Sequence, residues 1–497
     1  MTSEEHYDVV IVGAGLSGIG AAVHLKKNCP DRSFTILEGR SNPGGTWDLF
    51  RYPGVRSDSD MHTLGYHFKP WRASKSIADG KAILEYIKET ATEYNLNQHV
   101  KYDHKVLKAK WSSAESFWRL EISHGGTVKH VTGNVLYMCA GYYSYKQGYT
   151  PDFPGRERFK GDVIHPQAWP ENYDYQDKKV VVIGSGATAI TLVPAMADKA
   201  SHVTMLQRSP TYIISWPAKD FVANFLRTIL PIKVAYAITR WKNILRQQYL
   251  YWLSRNKPDV LKGFLLWNAR RRLGKDFDIE KHFTPTYDVW DQRLCLVPDG
   301  DFFDALKEAK ASVVTDHIES FTEEGIALQS GEALEADTII TATGLKLVMY
   351  GEVEFSVDGK PVDFSKTWSY KGVSCSGVPN FFACFGYVNA SWTLRADLMS
   401  RYVCRVVNHM HSTGNLQCTP TLQAGDESMR RQPWISGFTP GYINRVGHIF
   451  PKQGDKKPWV NAQVYNLDVE LLEKEPVDDG TMIFSSPAAS LGPGPVL

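Results

Sequence analysis

Apolar positions in this 497-residue chain follow two periods, and the switches between them mark its elements. Short, largely apolar segments at residues 9–12, 34–38, 180–183 and 203–208 read as buried strands. The first and third run into glycine-rich turns, then into small-residue segments that read as helices. Residues 81–94 carry apolar side chains at helical spacing. Residues 118–123 and 128–136 alternate around Gly125-Gly126, the pattern of a hairpin. Residues 135–140, 312–315 and 336–342 read as further strands, and 221–275 as a helical block. Residues 46–68, rich in Gly, Pro, Asp and Ser, read as a long loop of the kind that carries function. The tail after Pro476, rich in Pro, Ser and Gly, reads as poorly ordered.

Two of the glycine turns fit one template. Gly13-Ala14-Gly15-Leu16-Ser17-Gly18 follows the first strand, and its downstream acid is Glu38. Gly184-Ser185-Gly186-Ala187-Thr188-Ala189 follows the third, and Arg208 stands where the acid would be. Strand, tight turn and helix start expose backbone N–H groups that hold a pyrophosphate. An acid after the second strand accepts from a ribose 2′-hydroxyl, whereas an arginine receives a 2′-phosphate. The expected fold is therefore α/β, two Rossmann-like dinucleotide-binding domains with an inserted helical subdomain. The expected cofactors are FAD, held non-covalently, and NADPH.

Composition narrows the class. The formal net charge is only +2, so nothing suggests a nucleic-acid partner. Seven scattered cysteines form no CxxC, which argues against a disulfide framework or a zinc ribbon and fits a reducing cytoplasm. No metal site is expected. The N-terminus lacks the layout of a signal peptide. Residues 180–197 are uncharged and long enough to suggest a membrane span, but Gly184, Gly186 and Pro194 interrupt them. Residues 221–275 hold twelve Lys/Arg against the single acid Asp259, with recurring aromatics. Two readings of that block stand: a basic solvated face, or an element at a membrane surface or substrate entrance. The expected layout is an FAD domain over 1–146, and a linker with the first part of the NADPH domain over 147–215. The helical insertion follows over 216–289, then the rest of the NADPH domain over 290–345. Residues 346–497 complete the FAD domain and form the tail.

Two dinucleotides imply electron flow from NADPH to flavin, and reduced flavin needs an outlet. A dithiol outlet needs a CxxC, and iron–sulfur or haem outlets need clustered cysteines; none is present. Molecular oxygen remains. The segment between the two fingerprints reads Phe159-Lys160-Gly161-Asp162-Val163-Ile164-His165-Pro166-Gln167-Ala168-Trp169-Pro170. This FxGxxxHxxxW(P/D) pattern resembles the signature of type I Baeyer–Villiger monooxygenases. Phe159, Gly161, His165, Trp169 and Pro170 carry it, and it lies where that family has it. Gly44-Gly45-Thr46-Trp47-Asp48-Leu49 and Tyr52-Pro53-Gly54-Val55-Arg56-Ser57-Asp58 are similar to a family loop. So are Asp291-Gln292-Arg293-Leu294-Cys295 and Asn389-Ala390-Ser391-Trp392-Thr393. The likeness extends over nearly the whole chain and is greatest to the subgroup that activates thioamide prodrugs.

The resemblance implies site roles. Gly13, Gly15, Ser17, Gly18, Glu38, Gly45, Thr46, Trp47, Asp48, Leu49, Asp58 and Val106 would bind FAD. Arg56, Ser57, Asp58, Gly184, Ser185, Gly186, Ala187, Thr188, Ala189, Arg208, Ser209 and Trp392 would bind NADP. Arg293 would be the active-site cation stabilising an anionic C4a-peroxyflavin, and Asp58 would hold it. His165 would couple domain motion. Many relatives carry a lysine before that arginine; here it is Gln292, so NADPH preference rests mostly on Arg208. The implied reaction converts linear aliphatic or aryl-alkyl ketones to esters with O2, and oxidises sulfides and thioamides at sulfur. The alternative is a heteroatom-oxidising flavin monooxygenase without ketone activity. A further alternative is a flavoprotein that binds both nucleotides without oxygenating.

Overall fold

The computed structural model describes residues 4–292, 294–438 and 440–486, with Glu427 by its backbone alone. Two parallel-centred sheets carry the two fingerprints. In the first, the strand Glu5–Val12 runs parallel between Phe34–Leu37 and Thr127–Met138. Both of its faces are covered, which is why Val9, Val10, Ile11 and Val12 form an unbroken apolar run. The hairpin Phe117–His124 to Thr127–Met138 closes on Gly125 at φ +55° and Gly126 at φ +78°. A two-residue turn matching the twist of its strands needs positive φ at both positions, which glycine adopts without strain. The chain returns to this sheet late, through Glu354–Val357 and Phe381–Ala383.

The second sheet is five-stranded and all parallel. Its order is Ala311–Thr315, His202–Gln207, Lys179–Ile183, Thr338–Thr341 and Asp162–Ile164. The uncharged stretch 180–197 is thus the strand Lys179–Ile183 and the helix Ala187–Met196. No helix among the described residues is long and apolar enough to cross a membrane.

Three readings of the sequence change. The segment between the fingerprints is more than a connection, since Asp162–Ile164 is an edge strand of the second sheet. A three-residue strand is too short for its period to show. The loop 46–68 contains two single-turn helices, Thr46–Leu49 and Met61–Leu64, the latter capped by the Asp60 carboxylate. Residues 477–486 are ordered: Met482–Ser485 pairs antiparallel with Gln417–Pro420, and Met482 is buried. Composition averaged over the tail hid that short strand; residues 487–497 lie outside the described residues.

Three helices, Phe221–Ile229, Ile232–Asn256 and Pro258–Leu273, form the inserted block. The middle one is clamped to the first domain by buried polar contacts. Arg240 donates to the carbonyls of His62 and Gly65 and to the Asp397 carboxylate at 3.1 Å. Asp397 also receives His24 at 3.1 Å and His67 at 3.2 Å. Asn243 donates to Asp60 and Asp220, and Lys242 pairs with Asp220 at 2.8 Å.

Candidate active site

The first fingerprint forms a tight cradle. Gly13 sits at φ +106°, and a Cβ there would lie 2.6 Å from the Cys139 carbonyl oxygen. A Cβ on Gly18 would lie 1.8 Å from the Gly13 oxygen. Only glycine allows the helix Leu16–Asn28 to start this close to the strand ends. Gly15 caps that helix without a side-chain acceptor, so no side chain competes with an anion at its N-terminus. Glu38, buried at the end of the second strand, accepts from the N–H of Ala14 at 2.7 Å and of Arg40 at 2.9 Å. Burial pushes its carboxyl up, and those two N–H groups oppose the shift.

A cavity of about 480 Å³ opens beside this turn. Of the residues expected at FAD, Gly13, Gly15, Ser17, Glu38, Gly45, Thr46, Trp47 and Val106 line it. Trp392, expected at NADP, lines it too and donates its indole N–H to the Ser17 hydroxyl at 2.8 Å. Gly18, Asp48, Leu49 and Asp58 are not in its wall. Asp48 is buried and pairs with Arg40 at 2.8 Å and Arg51 at 3.5 Å. A glycine cradle that any Cβ would fill and a buried carboxylate fixed by two N–H groups suit a dinucleotide with a free ribose 2′-hydroxyl. FAD fits these residues.

Several wall residues escaped sequence reading. Arg40 lies over the Tyr145 ring at 5.5 Å. Tyr142 stacks on Trp392 with ring centres 5.3 Å apart. The signal was available: Tyr142-Tyr143-Ser144-Tyr145 follows directly on a buried strand that ends beside the first glycine turn.

The second fingerprint repeats the cradle. Gly184 stands at φ +134°, where a Cβ would meet the Ala342 oxygen at 2.4 Å. The helix Ala187–Met196 starts at Gly186, again without a side-chain cap, so Ala187, Thr188 and Ala189 form its first turn. Ser185 donates to the Ser209 carbonyl at 2.9 Å. Arg208 is exposed at the end of its strand and has no hydrogen bond or ion pair among the described residues. A free guanidinium beside a helix start suits a ribose 2′-phosphate, so NADPH fits here.

The loop that follows Trp47 joins the two cradles. Gly54, at φ +75°, presses on the second helix, and a Cβ would lie 2.6 Å from the Ala195 methyl. Tyr52 sits by Thr188 at the start of the second helix, and burial raises its hydroxyl to about 12. Arg56 forms an ion pair with Asp301 at the start of the helix Asp301–Lys307. Ser57 is buried and donates its N–H to the Ala78 carbonyl. Asp58 lies close enough to Tyr52 to help raise its hydroxyl. Arg293 lies outside the described residues, while Gln292 bridges to Val289 beside it.

The segment 159–170 docks where the two sheets are joined. Phe159 is buried against Phe321, and a Cβ on Gly161 would meet the Asp337 oxygen at 2.3 Å. His165 accepts the Gln167 N–H at Nδ1, 3.1 Å away, and contacts the Gly344 oxygen through Nε2 at 3.1 Å. Its ring lies over Gly148, where a Cβ would come within 1.9 Å. The strands Tyr143–Gly148 and Leu345–Leu347, which pair antiparallel, connect the two domains there. Trp169 sets its edge against Tyr173 and Tyr175, with Pro170 following in the chain. A further cavity of about 430 Å³ is lined by Tyr251, Trp290, Asn389, Phe438 and Gln463.

Residues 75–417 match the family model described as flavin-binding monooxygenase-like, and residues 11–73 match an NAD(P)-binding Rossmann-like domain. The chain is 50% identical over 489 residues to the FAD-containing monooxygenase EthA of Mycobacterium tuberculosis (strain CDC 1551 / Oshkosh). That match covers 98% of this chain and 99% of the relative. It is 49% identical over 484 residues to the probable FAD-binding monooxygenase AlmA of Acinetobacter baylyi, covering 97% and 96%. An oxidised steroid monooxygenase bound to NADP superposes with a TM-score of 0.77 at 21% identity, covering 97% of this chain and all of that one. Cyclohexanone monooxygenase from Rhodococcus sp. Phi1 bound to NADP+ gives 0.77 at 20% identity with the same coverage.

Proposed function

The chain belongs to the flavin-binding monooxygenase-like family and is an FAD-containing, NADPH-dependent monooxygenase, and from that premise we propose that it is a Baeyer–Villiger enzyme. Its substrates are linear aliphatic or aryl-alkyl ketones, with sulfides and thioamides oxidised at sulfur. The balance is ketone, O2, NADPH and a proton to ester, NADP+ and water. The observation that carries this reading is the seating of residues 159–170, which end in Trp169-Pro170 and dock His165 on the junction of both domains.

Bound flavin supplies the relay of two electrons from NADPH to oxygen. The chain's own residues bind, orient and charge the site. The Gly13–Gly18 turn holds the FAD pyrophosphate, and Glu38 accepts from its ribose. Ser17, Gly45, Thr46, Trp47 and Val106 wall it. Arg208 and Ser209 receive the 2′-phosphate of NADPH, and Gly184–Ala189 its pyrophosphate. Arg293 supplies fixed positive charge where negative charge grows on oxygen, and Asp58 orients it. The steroid and cyclohexanone monooxygenases named above lend the ketone reading support through their shared fold.

Product analysis with NADPH decides the matter. A panel of methyl ketones and thioethers should give esters and sulfoxides. Sulfoxide with no ester from any ketone assigns the chain to heteroatom oxidation instead. Hydrogen peroxide alone, with neither product, overturns oxygen transfer altogether.

A further inference from the structure

Thirteen of the twenty large apolar side chains that are exposed among the described residues lie within residues 221–267. That segment is about a tenth of the chain, so random scatter does not account for them. On the helix Ile232–Asn256, the exposed Val234, Ile238, Trp241, Leu245, Tyr249 and Trp252 recur in steps of three and four. They form one continuous stripe along its outer side. The opposite side cannot exchange places with it, because Tyr236, Arg240 and Asn243 are buried in contacts to the first domain. The neighbouring helices repeat the pattern: Phe221, Phe225 and Ile229 are exposed on one, and Val260, Phe264 and Trp267 on the other.

Charge says what covers this face. Of the twelve basic residues in the block, Lys233, Lys257, Lys262, Arg271 and Lys275 have no ion pair among the described residues. Arg271 instead lies over the exposed Trp267 ring at 5.5 Å. A second copy of the chain would set like charges against each other across a two-fold axis. An anionic bilayer offers apolar depth for the aromatics and phosphates for the cations. We propose that the helical insert docks on the surface of an anionic lipid bilayer. Its aromatic stripe lies at the boundary of headgroups and acyl chains, and its unpaired cations lie on the lipid phosphates. Tyr251, on the same helix but turned away from the stripe toward Trp290, lines the 430 Å³ cavity.

Co-sedimentation of the FAD-loaded full chain with vesicles tests this. Vesicles of phosphatidylcholine mixed with phosphatidylglycerol should pellet the protein at low salt, and phosphatidylcholine alone should not. The exposed double variant Trp241→Ser/Trp267→Ser should lose vesicle affinity by about ten-fold or more. Lys257→Gln/Arg271→Gln/Lys275→Gln should lose roughly five-fold per charge and much of the salt dependence. Both variants should keep the FAD content and NADPH oxidation of the parent, since the altered side chains are solvent-facing. Wild-type protein left in the supernatant with anionic vesicles overturns the proposal. So does equal binding by both variants, or a change confined to self-association in light scattering.

Discussion

His165 donates its Nε2 hydrogen to the Gly344 carbonyl at 3.1 Å, because its Nδ1 is taken as acceptor by the Gln167 N–H. The ring is therefore neutral at the junction of the two domains, and burial holds it below the ordinary histidine value of 6.5. A charged ring would lose the Gln167 bond. Below pH 6.5 the unfolded chain binds the proton more readily than the folded one. The stability tied to neutral His165 is thus complete above 6.5 and declines as pH falls from there toward the folded value. Thermal melts of the FAD-loaded protein from about pH 8 to 5 should show a shallower decline for His165→Asn than for wild type. Other buried histidines contribute to both curves, so the difference between the curves is the readout, and parallel curves would refute the assignment.

Gly54 sets how closely the loop after Trp47 meets the second cradle. A Cβ there would lie 2.6 Å from the Ala195 methyl and 3.0 Å from the Thr191 carbonyl, at φ +75°. The methyl group collides with a helix backbone as well as straining its own, at roughly 1–3 kcal/mol. Gly54→Ala should keep bound FAD, since the first cradle is untouched. It should slow flavin reduction by NADPH about ten-fold in anaerobic stopped-flow. An unchanged reduction rate would mean that this contact does not set the distance between the cofactors.

Asp397 and Arg240 hold the helical insert to the first domain. Both are buried, and the adjoining His24 and His67 hold the Asp397 carboxyl well below its usual range against the cost of burial. Asp397→Asn keeps the shape and strands the Arg240 charge, for a loss of about 3 kcal/mol in urea titration. Replacing the pair with Arg240→Met/Asp397→Leu should recover part of that loss, because no charge is then left uncompensated. A double variant less stable than Asp397→Asn would contradict this account.

Both cradles were legible because their constraint is local. Strand, glycine turn and helix start lie within a few residues, and the sequence must supply glycine wherever a Cβ has no room, as at Gly13 and Gly184. The Gly125-Gly126 hairpin was legible for the same reason. What stayed hidden depends on distant parts of the chain. Asp162–Ile164 becomes a strand only because Thr338–Thr341 offers it an edge, and Met482–Ser485 only because Gln417–Pro420 does. Arg56 looked like a cofactor ligand, and nothing near it in sequence marks Asp301 as its partner. The exposed stripe on the insert was visible as aromatics among cations, but only the buried Arg240 contacts fix which side faces out.

Arg208 is the one expected phosphate ligand of the second cradle that carries a full charge, and it stands exposed without a partner among the described residues. A charge-assisted contact of this kind contributes roughly 1.5–3 kcal/mol. Arg208→Gln should therefore raise KM for NADPH by about ten- to a hundred-fold. KM for NADH, which lacks the 2′-phosphate, should move by no more than about two-fold on the same grounds. If, as the family resemblance implies, Gln292 stands where a second cation would assist, Gln292→Lys should lower KM for NADPH several-fold and leave NADH unchanged. Steady-state kinetics with both nucleotides separate the cases. If Arg208→Gln weakens NADPH and NADH by the same factor, Arg208 holds the shared part of the nucleotide and the 2′-phosphate is read elsewhere.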